Sequence, residues 1–142
     1  MNGLDLFGKV IKQSICINDL IDSKTDKEFK LKFRSLFSSP LAKSERGIVY
    51  MWLTDKGIPR MHGSSNVIYI GKTINTLYER LHRWAEVEGS ELNWIRYKYI
   101  IDNFGPIKIM LGKTGNPREA EKKMLKIYFE EHLEYPPMNA GG

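Results

Sequence analysis

The chain has 142 residues, 42% hydrophobic and 27% charged, a balance that suits one core and excludes a fibrous, repeat-built or disordered chain. A formal net charge of +5 and a pI near 9.3 favour a polyanionic partner without naming one. A single cysteine excludes an intrachain disulfide framework, no apolar run approaches a membrane span, and the N-terminal residues lack the regions of a signal peptide, so the expectation is a cytoplasmic protein in a reducing compartment with no membrane partner.

Residues 4–17 mix Leu, Phe, Val and Ile with no clean period; a helix is expected there, with a strand open as the alternative. Cys16, between Ile15 and Ile17, is expected as a buried thiol. Thr25-Asp26-Lys27-Glu28 is a capping box, Phe29, Phe33, Leu36 and Phe37 follow at helical spacing, and Ser38-Ser39-Pro40 stops the helix. Its other face carries Lys27, Lys30 and Arg34, read first as a solvated face and second as phosphate contacts. Residues 1–45 thus read as an N-terminal helical extension, and 46–142 as the unit it extends.

Residues 48–53 and 67–70 are strand candidates rich in β-branched and aromatic side chains, joined by a long connection over 54–66 whose Lys56, Arg60 and His62 read either as substrate contacts or as ordinary residues of a freely varying loop. Gly71 supplies a turn, and Thr76-Leu77-Tyr78-Glu79 is a second capping box. On the helix it opens, Leu77, Leu81, Trp84 and Val87 gather on one side, Arg80 sits at the edge of that arc, leaning toward the core, and Glu79, His82 and Glu86 face away. A further helix runs from Ser90 through Phe104, burying Leu92, Ile95, Tyr99 and Ile101 and exposing Arg96 and Lys98, before Gly105 and Pro106 end it. Residues 107–111 alternate like an added strand.

Asn116-Pro117 opens the last long helix, an N-cap followed by proline at the first helical position. Ala120, Met124, Leu125, Ile127, Tyr128 and Phe129 form its apolar face, and Glu121 lies inside that arc while Glu119 and Glu130 lie on the polar side. An ionised carboxylate aimed at apolar surroundings costs several kcal/mol unless a positive charge meets it, and a metal ion is the economical candidate. Mg²⁺ commonly takes a single carboxylate with waters and phosphate, whereas three scattered His and one Cys make no zinc site. His132, on the same face, reads as a satisfied core histidine.

Gly47-Ile48-Val49-Tyr50, then Tyr69-Ile70-Gly71-Lys72-Thr73, then Leu77-Tyr78-Glu79-Arg80-Leu81 resemble the signature of the GIY-YIG nuclease family, over roughly the last two thirds of the chain. The first motif carries an extra residue, and Tyr50 rather than Val49 takes its tyrosine position, since valine has no chemistry to offer. The resemblance implies an α+β fold with a small three-stranded, mostly antiparallel sheet flanked by helices. It implies a Mg²⁺-dependent endonuclease, with Mn²⁺ able to substitute, whose Tyr50, Tyr69, Arg80 and Glu121 line one face of that sheet. Glu121 would hold the metal and Arg80 would clamp phosphate, while Gly47, Gly71 and Asn139 would support the site. A tyrosine is a poor base with its ordinary pKa near 10, and Lys72 is the cation placed to lower it. The expected partner is DNA, with RNA open, and a homodimer or higher homo-oligomer is the form that would cut both strands. With nothing after Asn139 to form a separate DNA-binding domain, a stand-alone restriction- or phage-type enzyme is expected ahead of an intron homing enzyme. A repair or junction nuclease, or a nucleic-acid-binding module without chemistry, is the alternative.

Overall fold

The computed structural model describes residues 2–139. Most helices begin where a short polar side chain takes up a free backbone N–H. Asn2 accepts from Asp5 N at 2.9 Å to start α1 (Gly3–Gly8), and Thr25 accepts from Glu28 N at 3.2 Å to start α2 (Asp26–Phe37). Ser39, expected only to stop α2, also caps α3 (Pro40–Ser44), and Thr76 accepts from Glu79 N at 3.1 Å ahead of α4 (Leu77–Leu81). The helix expected to carry Arg80 onward breaks after Leu81 and resumes as α5 (Ala85–Glu88), which leaves Trp84 and Val87 exposed instead of buried. Next comes α6 (Glu91–Phe104), and finally α7 (Pro117–His132), capped by Asn116 on Glu119 N at 3.2 Å.

Four strands, not three, make the sheet: β1 (Ser14–Ile21), β2 (Ile48–Pro59), β3 (Ser64–Thr73) and β4 (Ile107–Lys113), in the order β1-β4-β2-β3 with every pair antiparallel. The N-terminal segment is therefore not a purely helical extension, because its second element is a strand that pairs Ser14 with Gly112 and Ile21 with Ile107. Cys16 is exposed on that strand, where only Ile17 and Ile21 are buried. The connection expected over 54–66 is mostly strand, since Pro59 pairs with Ser64 and the turn is confined to residues 60–63. Gly63, at φ +70, supplies the left-handed residue this turn needs.

The sheet is covered on both faces. On one, Ile48, Tyr50, Trp52, Ile68, Ile107, Ile109 and Leu111 pack against α2 to α6; on the other, Val49, Met51, Leu53, Val67, Ile70 and Met110 pack against α1 and α7. The phenylalanine stripe of α2 is buried as its spacing predicts, and Phe33 and Phe37 pack at 6.0 and 6.1 Å from the Trp52 ring. The boundary expected at residue 45 does not separate two cores, for Ile17, Ile21 and this stripe share a cluster with Tyr50 and Trp52. On α6 the buried face overlaps the expected one only at Ile101, which is inside with Tyr97 and Ile100, while Leu92, Ile95 and Tyr99 are exposed. Among the described residues no helix is long and apolar enough to cross a membrane.

Candidate functional site

Strand alternation decides which residue of the first motif faces the second. Tyr50 pairs with Gly71 and Trp52 with Tyr69, so Tyr50, Trp52 and Tyr69 share a face, whereas Val49 lies on the opposite face among the residues packed by α7. The Tyr50 and Tyr69 rings lie 6.1 Å apart at an interplanar angle of 28°, and Trp52 lies 4.8 Å from Tyr69. This closeness depends on Gly71: a Cβ there would stand 2.5 Å from Tyr50 Cζ and 2.6 Å from its hydroxyl oxygen. Gly47 is needed for another reason, its φ of +67, and its carbonyl accepts from Thr114 N at 2.9 Å, which ties the entry of β2 to the loop before α7.

The Tyr50 hydroxyl is buried and makes no hydrogen bond of good geometry in the described structure; its one hydrogen-bonding neighbour is the Tyr69 hydroxyl, which is near enough to act on it. Burial, then the neighbouring Tyr69, push its pKa well above the usual tyrosine value, against the pull of Arg80. The Tyr69 pKa is also raised, by burial first, with Arg80 opposing and Glu88 and Glu121 adding to the rise. The expectation that a cation would turn a tyrosine into a base is therefore corrected: desolvation outweighs Arg80, and both phenols hold their protons at neutral pH.

Arg80 is exposed rather than turned to the core, its guanidinium carbon 5.2 Å above the Trp84 ring. Its neighbour Glu79 pairs with Arg46 at 2.9 Å instead, so no described carboxylate occupies Arg80 within salt-bridge distance. Stacking on an indole leaves the N–H fork of an arginine free for an anion.

Glu121 is half-buried on α7, beside Ala120 and Met124, which face the sheet. Lys72, paired in register with Val49, belongs to that same face of the sheet. The four expected residues thus do not line one face. The tyrosines and α4 approach from one side and Glu121 with Lys72 from the other, and they meet around β3, the edge strand of the sheet. Desolvation raises the Glu121 pKa above the usual glutamate value, opposed by Lys72 and then Arg80. Glu121 makes no salt bridge among the described residues, and no group of three or more His, Cys, Asp and Glu side chains assembles there. A half-buried, unneutralised carboxylate fits a hard cation that takes its remaining ligands from water and phosphate.

Asn139 clamps the outer edge of β3 at the centre of the motif: its Oδ1 accepts from Ile70 N and its Nδ2 donates to Ile70 O, both at 3.0 Å, while Met138 N donates to Ile68 O at 2.8 Å. His132 is buried with Nδ1 2.8 Å from His62 O, the satisfied core histidine its position predicts. Three of the expected nucleic-acid contacts are already engaged within the protein. Arg60 is mostly buried and bridges Glu134 and the Tyr135 carbonyl, and Lys30 and Arg34 both pair with Glu86 of α5; Lys27 alone of the four is exposed without a salt bridge. One acid was not anticipated. Glu88 accepts from the Tyr97 hydroxyl at 2.6 Å and acts on Tyr69, and no local pattern marks it, since its partners come from β3 and from one helix on. No family model, curated protein or solved structure matches the chain.

Proposed function

We propose that this chain is a Mg²⁺-dependent endonuclease of GIY-YIG type that hydrolyses DNA phosphodiester bonds, a restriction- or phage-type enzyme working in the cytoplasm. The observation that carries the reading is the Tyr50 hydroxyl, buried with no hydrogen bond of good geometry, set against the Tyr69 hydroxyl and within electrostatic reach of Arg80 and Glu121. A protein that needed only packing there would gain stability from phenylalanine, because a buried unsatisfied hydroxyl costs about 1–3 kcal/mol.

Glu121 is the residue that would hold the divalent ion, which when bound supplies an electrophile for phosphate and an acidified water. The chain's own groups then divide the remaining work. Arg80 offers two parallel N–H donors to the nonbridging oxygens and meets the charge that builds there. Tyr50 and Tyr69, kept protonated by burial, donate hydrogen bonds that orient the attacking water or the phosphate, and neither serves as the resting base. Lys72 adds positive potential beside Glu121. Water attacks phosphorus, the bond to the leaving oxygen breaks, and a proton passes to that oxygen.

Supercoiled plasmid tests the reading directly. Wild type is expected to nick it with Mg²⁺ or Mn²⁺ and to stop in EDTA, and Glu121→Gln is expected to bind DNA without cutting. Arg80→Ala should lose at least about a hundredfold in rate, and Arg80→Lys should not restore it, because lysine cannot fork two oxygens. Cutting in EDTA, or wild-type cutting by Glu121→Gln, overturns the assignment, and DNA binding with no cleavage under any divalent ion favours a binding module instead.

A further inference from the structure

The cations expected to meet nucleic acid on α2 are held by acids, with Lys30 and Arg34 on Glu86 and Lys32 on Asp19. Among the described residues, several basic side chains without a salt bridge lie together on α7 instead. Arg118, Lys122 and Lys123 are exposed on α7 with no carboxylate of the described residues within salt-bridge distance, and Lys126 has among them only an exposed partner, Glu130, at 3.9 Å. At about 100° per residue, Arg118, Lys122, Lys126 and Lys123 lie about 60°, 100°, 140° and 200° round the helix from Glu121. They form an arc that starts at the candidate metal ligand and crosses the solvent side of α7. Beyond it, Lys122, Lys123 and Lys126 line a cleft of about 430 Å³ whose other wall is Val10 and Thr114, with Glu119 the one acid lining it. Lys9 and Lys12, both exposed and without a salt bridge among the described residues, flank Val10.

We infer that the solvent side of α7 is the track that holds the DNA backbone, with Arg118, Lys122 and Lys123 as its phosphate contacts. The inference rests on the nuclease reading for the placement of the scissile bond at Glu121. Four cations against Glu119 and Glu130 leave the arc net positive, and about 12 Å of helix from Arg118 to Lys126 spans several phosphates of one strand. Each contact displaces condensed counterions, so the track writes itself into the salt dependence of binding.

The test is fluorescence polarisation of a short labelled DNA duplex in EDTA, so that nothing is cut, across about 50–200 mM salt. The plot of log K against log salt for Arg118→Gln/Lys122→Gln/Lys123→Gln should be shallower than wild type by about 2.7, near 0.9 per contact. Lys30→Gln/Arg34→Gln should leave the slope within about 0.5 of wild type. A slope unchanged in the α7 variant but lowered in the α2 variant overturns the track and leaves the cleavage reading standing. Failure of the wild-type chain to bind the duplex at any salt overturns both. If the triple variant loses its far-ultraviolet helix signal, Lys122→Gln alone should still lower the slope by about 0.9, and no change there also overturns the track.

Discussion

Tyr50→Phe removes one oxygen from a ring that is otherwise wholly buried, and its effect on stability separates a functional hydroxyl from a structural one. In the folded chain that oxygen lies over Gly71 and makes no hydrogen bond of good geometry, with only the Tyr69 hydroxyl beside it, whereas in the unfolded chain water satisfies it. Deleting it should recover part of the roughly 1–3 kcal/mol such a group costs, less the van der Waals contact it makes, for a net gain of about 1 kcal/mol. For a chain of this length that raises Tm by about 3–4 °C. Tyr97→Phe is the matched control. Its hydroxyl is equally buried but donates to Glu88 at 2.6 Å, so the same deletion should cost about 1.5–3 kcal/mol. Urea melts of the three proteins, with equal slopes, measure both signs, and plasmid nicking runs alongside. A Tyr50→Phe protein that is more stable and cannot cut fits the proposed role. Destabilisation by 1 kcal/mol or more would show that the hydroxyl is bonded in the native state, and unimpaired nicking would remove it from the reaction.

Glu121→Gln should stabilise the metal-free protein at neutral pH. The folded-state pKa of Glu121 is raised, so folding binds extra protons, and stability falls as pH rises from the ordinary glutamate value through the raised one. The advantage of Gln should therefore vanish below about pH 4, where both side chains are neutral, and Mg²⁺ should raise the wild-type Tm but not the variant's. Gly71→Ala should cost about 1–3 kcal/mol by driving Tyr50 off its site, while Gly115→Ala, whose Cβ would meet nothing within 4 Å, should be near neutral by thermal melt. Removing residues 1–43 should give no folded, nicking-competent core, because β4 would lose its β1 partner and Trp52 the cover of Phe33 and Phe37; a monomeric truncation with a cooperative melt would refute that.

What the sequence makes legible is local. The boxes at Thr25 and Thr76 and the Asn116-Pro117 start are written within four residues, and each N-cap forms, but the returning glutamates go elsewhere, Glu28 to Lys24 N and Glu79 to Arg46. The Phe29 stripe is legible because its period leaves one face to bury. On α6, apolar residues fall on more than one face, so periodicity alone picks Leu92, Ile95 and Tyr99 along with Ile101, and only the position of Trp52 and α2 shows that Tyr97 and Ile100 go inward. β1 is hidden because an edge strand with two buried residues in eight carries almost no alternation. At the site, residue types and order are readable, and so is the unusual phase of Glu121. The protonation of the tyrosines is not, since it follows from burial by elements far away in sequence, and neither is the capture of Lys30 and Arg34 by Glu86, which joins α2 to α5 across more than fifty positions.

The strand order has a consequence for how the molecule comes into being. β4 is the last strand made and yet sits between β1 and β2, so until residues 107–113 leave the ribosome the first strand has no neighbour to join. For most of synthesis the nascent chain must carry Ile17, Ile21 and the phenylalanines of α2 with no finished floor beneath them, a long-range closure that slows folding and lengthens exposure of apolar surface. The β3 edge waits longer still, because Asn139 reaches back 69 positions to Ile70. A growing chain therefore holds Tyr50, Tyr69 and Arg80 well before the edge strand that carries Tyr69 is fastened by Asn139.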